Sequence, residues 1–92
     1  MSLMTGVSRQ MFALEDLYGV LHDETLLKIL LYLKEKNPKV PLEDLAKLIG
    51  RTREETLGLL NVLYSKGFIE IESPERYTLN LRTRNALNSL LT

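Results

Sequence analysis

PLEDLAKLIGRTREETLGLLNVLYSKGFIEIESPERYTLNL, residues 41–81, is the stretch whose reading decides the fold. Leu42, Leu45, Ala46 and Ile49 share one helical face. Pro41 suits a first helical turn, and Glu43 and Asp44 suit the positive end of a helix dipole. Gly50 fits the left-handed position that closes a helix. Thr52 follows as an N-cap with Glu55 three residues on, the spacing of a capping box. That second helix runs to about Lys66, with Thr56, Leu59, Leu60 and Leu63 facing inward, and Gly67 ends it. The period then changes. Phe68 to Glu72 and Tyr77 to Leu81 alternate as strands do, and Ser73-Pro74-Glu75-Arg76 between them reads as a turn. An isolated hairpin is marginal in water, so this one is expected to pack on the helices through Phe68 or Ile69, Ile71, Leu79 and Leu81.

Two helices joined by a short Gly-containing turn have helix-turn-helix spacing, and the hairpin after them makes a winged helix-turn-helix. The expected class is therefore mainly α with a small β-hairpin wing (α+β), with flanking N- and C-terminal helices. Working outward, Asp23 caps a helix to about Lys36 whose inner stripe is Leu26, Ile29, Leu30 and Leu33, widened by Leu27, Leu31 and Tyr32. Pro38 keeps Asn37 out of helical geometry, and the likeness to small winged helices implies a brief third strand beside the wing at Val40. Ser8 caps a first helix to Leu21, with Met11, Leu14, Leu17, Tyr18 and Leu21 at helical spacing. Thr83 is expected to cap a last helix ending near Leu91. The domain reading is one unit over 8–92, divided into 8–21, 23–36, 41–49, 52–66, 68–81 and 83–91. Residues 1–7 are expected to be disordered or non-native, with Met4 as the natural start.

Composition narrows the function classes. Ninety-two residues make one small domain, 45% hydrophobic and 26% charged, which is globular rather than disordered composition. There is no Cys, so disulfides and thiolate metal sites are excluded. A lone His22 does not build a metal site, and no cofactor is expected. No nucleophile with a base partner and no Gly-rich phosphate loop is present, so catalysis is not expected. No apolar run approaches the roughly 18 residues of a membrane span, and no signal peptide is evident. A cytoplasmic, nucleoid-associated prokaryotic protein is the expectation. Net charge is zero, 12 basic against 12 acidic. Residues 1–24 carry Arg9 against Glu15, Asp16, Asp23 and Glu24, which leaves an excess of +3 for residues 25–92.

Residues 23–92 resemble bacterial and archaeal winged-helix regulators of the MarR, ArsR and Crp types. Leu45-Ala46-Lys47-Leu48-Ile49-Gly50 is similar to their Leu-Ala-x-x-(Leu/Ile)-Gly second helix. Thr52-Arg53-Glu54 resembles the start of the Crp-type recognition helix. Leu63-Tyr64-Ser65-Lys66-Gly67-Phe68-Ile69 resembles their Leu-x-x-Lys-Gly-(Leu/Phe)-Ile exit into the wing, and Tyr77 to Leu87 the MarR-type ending. Gly58 stands where the Crp-type pattern has its second Arg, so that base code does not carry over. The resemblance implies a DNA-binding transcriptional regulator that acts as a homodimer on double-stranded DNA. Its interface would use the flanking helices, through Met11, Phe12, Leu14, Tyr18, Leu87, Leu90 and Leu91.

The residues themselves supply the candidate contacts. A recognition helix puts its N-terminal side chains against base edges, where Arg takes guanine and Glu accepts from cytosine. Arg51, Thr52, Arg53, Glu54, Thr56 and Leu57 are the candidates, with Thr52 also claimed by the cap and Thr56 also counted on the inner face. Asn61 lies two turns in and can reach a phosphate. Arg76 at the wing tip suits a phosphate or the minor groove, and Lys39 and Lys47 suit phosphates. The plain alternative is that Arg53, Glu54 and Glu55 form a self-compensating solvated surface. Zero net charge and that acidic first turn support a second reading, a protein-binding winged-helix module of a larger replication, transcription or chromosome-maintenance factor.

Overall fold

The computed structural model describes residues 13–36, 39–72 and 75–91. They form α1 (Leu14–Leu21), α2 (Glu24–Glu35), β1 (Val40–Pro41), α3 (Leu42–Ile49), α4 (Arg53–Ser65), β2 (Ile69–Glu72), β3 (Arg76–Leu79) and α5 (Leu81–Leu91). The chain is mainly helical with a small antiparallel sheet, an α+β arrangement. The strand order is β1-β3-β2. Val40 pairs with Tyr77 and Pro41 with Arg76 on one side of β3, and Ile69 pairs with Leu79 and Ile71 with Tyr77 on the other. No helix among the described residues is long and apolar enough to cross a membrane.

Local chemistry sets the boundaries. Asp23 caps α2 by accepting from the Leu26 amide at 3.1 Å. His22 closes α1 instead of starting anything, its Nδ1 donating to the Tyr18 carbonyl at 2.8 Å. Pro41 sits one residue before α3, extended at ψ 155° and paired in the sheet, rather than inside the first turn. Gly50 ends α3 at φ 67°, a left-handed conformation that costs a side-chain-bearing residue about 1 kcal/mol or more. Thr52 and Glu55 form the full capping box of α4: the Thr52 hydroxyl accepts from the Glu55 amide at 3.1 Å, and the Glu55 carboxylate accepts from the Thr52 amide at 3.2 Å.

The core lies between α2, α3, α4, the base of the hairpin and α5. Ile29, Leu30, Leu33, Leu42, Leu45, Leu60, Leu63, Phe68, Ile69, Tyr77, Leu79 and Leu87 are all buried. Leu17 and Val20 seal α1 onto it. β3, the central strand, packs against α2, and β2 packs against α4.

The structure corrects three expectations about packing. Ile71 and Leu81 are exposed, and Tyr77 takes the inner place. The alternation itself is right: Ile69 and Ile71 share a face with Leu79 and Tyr77. Ile71, however, is on the edge strand β2, while Tyr77 opposite it on the central strand β3 is covered. Leu81 is the first residue of α5 rather than the end of a strand. The cap of α5 is Asn80, not Thr83. The Asn80 Oδ1 accepts from both the Thr83 amide and the Thr83 hydroxyl at 2.8 Å, and Thr83 is fully buried. The expected N-terminal segment 1–7, the Ser8 cap, and the turn residues Ser73 and Pro74 lie outside the described residues.

Candidate nucleic-acid interface

The start of α3, the start of α4 and the hairpin tip meet through Glu43, Arg53 and Glu75, and the turn over 50–52 leads from α3 into α4. The capping box consumes the Thr52 side chain, so Thr52 holds the helix end and is not free to read a base. Thr56 is a correction: it is 0% exposed and its hydroxyl donates to the Thr52 carbonyl at 2.7 Å. One turn into α4, it points at the core. Leu57 is half-buried and packs on the core as well.

Arg53 is at the first helical position, where its exposed guanidinium reaches two acids. It donates to Glu43 of α3 at 3.3 Å and to Glu75 of the hairpin tip in a close bond. The hydrogen bond from Arg53 and its charge hold the Glu75 carboxyl below its ordinary value, and the same bond raises Arg53. Glu75 is placed there by its backbone. It has φ 55°, the left-handed region, and its carbonyl accepts from the Leu42 amide at 3.1 Å. Tyr77, two residues on, is raised above its ordinary 10.0, first by burial and then by Glu75. Lys39 is also engaged, 3.4 Å from Glu72.

Three candidate cations remain open. The side chains of Lys47, Arg51 and Arg76 are exposed and have no hydrogen-bond or ion-pair partner among the described residues. Asn61 is likewise exposed and unpartnered among them, while the exposed Glu54 adds its charge to those that raise Arg53. Along the chain, Lys47 is one helical turn after Glu43, Arg51 is two residues before Arg53, and Arg76 follows Glu75, so each neighbours a member of the Arg53 junction in sequence. Acids are mixed with the candidate cations: Lys39 and Arg53 are each paired with carboxylates, and Asp44 and Glu54 are exposed alongside them.

Sequence reasoning named Arg53 and Glu75 separately and missed their bond. Twenty-two residues separate them, and no local pattern encodes that contact. It also missed an open groove of about 1190 Å³ between α1, the end of α4, β2 and α5, lined by Leu14, Tyr64, Ile71 and Leu81. Of the expected interface residues, Leu14, Tyr18 and Leu90 are exposed at 67%, 58% and 53%. Leu87 is corrected: it is fully buried in the chain's own core. Met11, Phe12 and the Leu91 side chain lie outside the described residues. Comparison with protein-family models, with curated proteins and with solved structures finds no significant match for this chain.

Proposed function

We propose that this chain is a winged-helix protein that binds double-stranded DNA as a homodimer and regulates transcription in a prokaryotic cytoplasm. The observation that carries the reading is the set of unpartnered cations, Lys47, Arg51 and Arg76, around the start of α4. In this reading α4 enters the major groove, Arg51 and Glu54 face base edges, Asn61 reaches deeper along the helix, and Lys47 and Arg76 hold phosphates. Arg53, bound to two carboxylates, is not counted as a base reader. A neutral chain gathers few phosphate contacts alone, and two copies one DNA turn apart double their number. The test is titration of a random duplex of about 30 base pairs at low salt, followed through increasing salt, since phosphate contacts give a slope of about −0.9 each. Absence of binding by the intact chain at low salt rules the reading out.

The dimer rests on Leu14, Tyr18 and Leu90, large apolar side chains left open on α1 and α5. Exposed apolar surface of this kind is characteristic of association sites. Sedimentation of the chain is expected to give twice the monomer mass. Leu14→Glu with Tyr18→Glu is expected to give a folded monomer, because neither side chain belongs to the buried core. A wild-type chain that sediments as a monomer at tens of micromolar, about the range where weak dimers form, removes the homodimer.

One observation favours a second reading. The pairing of Arg53 with Glu43 and Glu75, and of Lys39 with Glu72, neutralises two of the five candidate cations. A surface so balanced suits a protein-binding module of a larger replication, transcription or chromosome-maintenance factor. A chain that neither shifts DNA nor dimerises is the outcome this reading expects.

A further inference from the structure

We infer that Glu75 acts as a built-in competitor for DNA phosphate: its carboxylate occupies Arg53 in the free chain and is displaced from it when DNA binds. The inference rests on the DNA reading and adds to it a residue that sets its affinity.

The geometry is a three-way junction. Arg53 begins α4, Glu43 is the second residue of α3, and Glu75 is at the hairpin tip. Glu75 contacts Arg53 through its side chain and Leu42 through its backbone carbonyl. The two attachments do different work. The backbone bond seats the hairpin tip on the start of α3 whatever side chain residue 75 carries. The carboxylate is therefore not required to hold the tip in place, and its target is the first side chain of the helix proposed to meet DNA.

A guanidinium presents the same planar fork to a carboxylate and to a phosphate. One anion can replace the other on Arg53 without rebuilding the site. Both groups are about half exposed, with side chains 47% and 43% accessible. A bond so open to water is screened and weak, which is what an exchangeable partner requires. Glu43, at 3.3 Å and 66% accessible, is the looser of the two acids. The depressed proton affinity of Glu75, caused first by its hydrogen bond from Arg53, agrees with a carboxylate that stays ionised and competitive across the neutral range.

A double-mutant cycle on the full chain tests this. Wild type, Glu75→Gln, Arg53→Gln and the double variant are titrated with one random duplex of about 30 base pairs across a salt series. Gln keeps the size of Glu and the backbone bond to Leu42, and circular dichroism confirms that each chain is folded. With Arg53 present, Glu75→Gln is expected to tighten binding by up to about fivefold at 0.1 M salt with the salt slope nearly unchanged, because Arg53 reaches phosphate in both complexes and only the cost of displacing Glu75 is removed. With Arg53→Gln, the same change is expected to give little gain. An equal gain in both backgrounds would mean that removing a negative charge acts at a distance, and the competitor is overturned. No gain in either background, with the wild type still binding DNA, overturns it as well while leaving the DNA reading standing. If none of the four chains binds duplex at low salt, the DNA reading itself fails and the competitor falls with it.

Discussion

Replacing Lys47, Arg51 and Arg76 together with alanine is expected to weaken duplex binding by up to about 500-fold at 0.1 M salt and to flatten the salt slope by about 2.7. Each cation that neutralises a phosphate releases counterions worth about 0.9 in the slope, so three contacts compound to that loss. None of the three side chains has a partner among the described residues, and all are exposed. Their removal therefore leaves no buried group unsatisfied, and stability is expected to move by less than about 0.5 kcal/mol. The separation of the two readouts gives the experiment its force. A large loss of affinity with an unchanged melting temperature assigns the cations to binding. An unchanged affinity shows that DNA, if bound at all, meets another face. Single substitutions divide the roles further. Arg51→Ala is expected to reduce discrimination between sequences, whereas Lys47→Ala and Arg76→Ala weaken all sequences alike.

The pairing of Arg53 alters what that experiment needs to include. With Arg51, Arg53 was the expected centre of base reading, and its capture by Glu75 and Glu43 leaves Arg51 alone in that place. A guanidinium held by carboxylates is no evidence for DNA. Its capture is the strongest structural support for the protein-binding reading. The two readings diverge sharply at low salt. Under the DNA reading the free trio suffices for measurable binding, and under the protein reading it does not.

How much was legible follows from the range of the forces involved. The helices around Gly50 were readable because their determinants are local: a left-handed Gly50, and a Thr52–Glu55 box closed within three residues. Asp23 as a cap was readable for the same reason, whereas the short strand at Val40, which pairs with the distant Tyr77, was expected only from the likeness to small winged helices. What escaped was non-local. Alternation put Ile71 on the inner face but could not say that the edge strand carrying it would be left open while Tyr77 on the central strand is covered. Helical spacing placed Leu87 and Leu90 on one stripe, yet one is buried in the core and the other half open, because α5 covers the core with only part of its length. On α1, Leu14 and Tyr18 turned outward while Leu17 and Val20 turned in, since the spacing of apolar residues is compatible with either face when both are apolar. At the candidate interface, residue type identified the cations. It could not tell which of them the fold would neutralise, since Glu75 meets Arg53 only once the hairpin has folded back onto α3.

The largest stability effect is expected at Asn80, a residue that no local pattern singles out. Its amide nitrogen donates to the Gly67 carbonyl, its Oδ1 accepts from the Thr83 amide and hydroxyl at 2.8 Å, and its backbone amide donates to the Phe68 carbonyl at 3.3 Å. One side chain thus ties the corner between α4 and β2 to the first turn of α5. Asn80→Ala removes an N-cap, about 0.5–2 kcal/mol, and strands the hydroxyl of fully buried Thr83, about 1–3 kcal/mol. The expected loss is about 2–4 kcal/mol, a large share of the roughly 5–14 kcal/mol that a domain of this length holds. The melting temperature should fall by roughly 10–25 °C. Asn80→Ala with Thr83→Val is expected to recover part of the loss, because removing both partners of a buried hydrogen bond is far cheaper than removing one. Asn80→Asp keeps the acceptor but loses the donor to Gly67, and is expected to fall between wild type and alanine. Because Leu87 is fully buried on the helix that Asn80 starts, loosening that first turn also weakens the seat of α5 in the core. Thermal unfolding of the three variants decides the matter: a loss below about 0.5 kcal/mol for Asn80→Ala would mean that the corner bonds contribute nothing measurable and that α5 is held by its packing and the Arg84 bond to the Lys34 carbonyl.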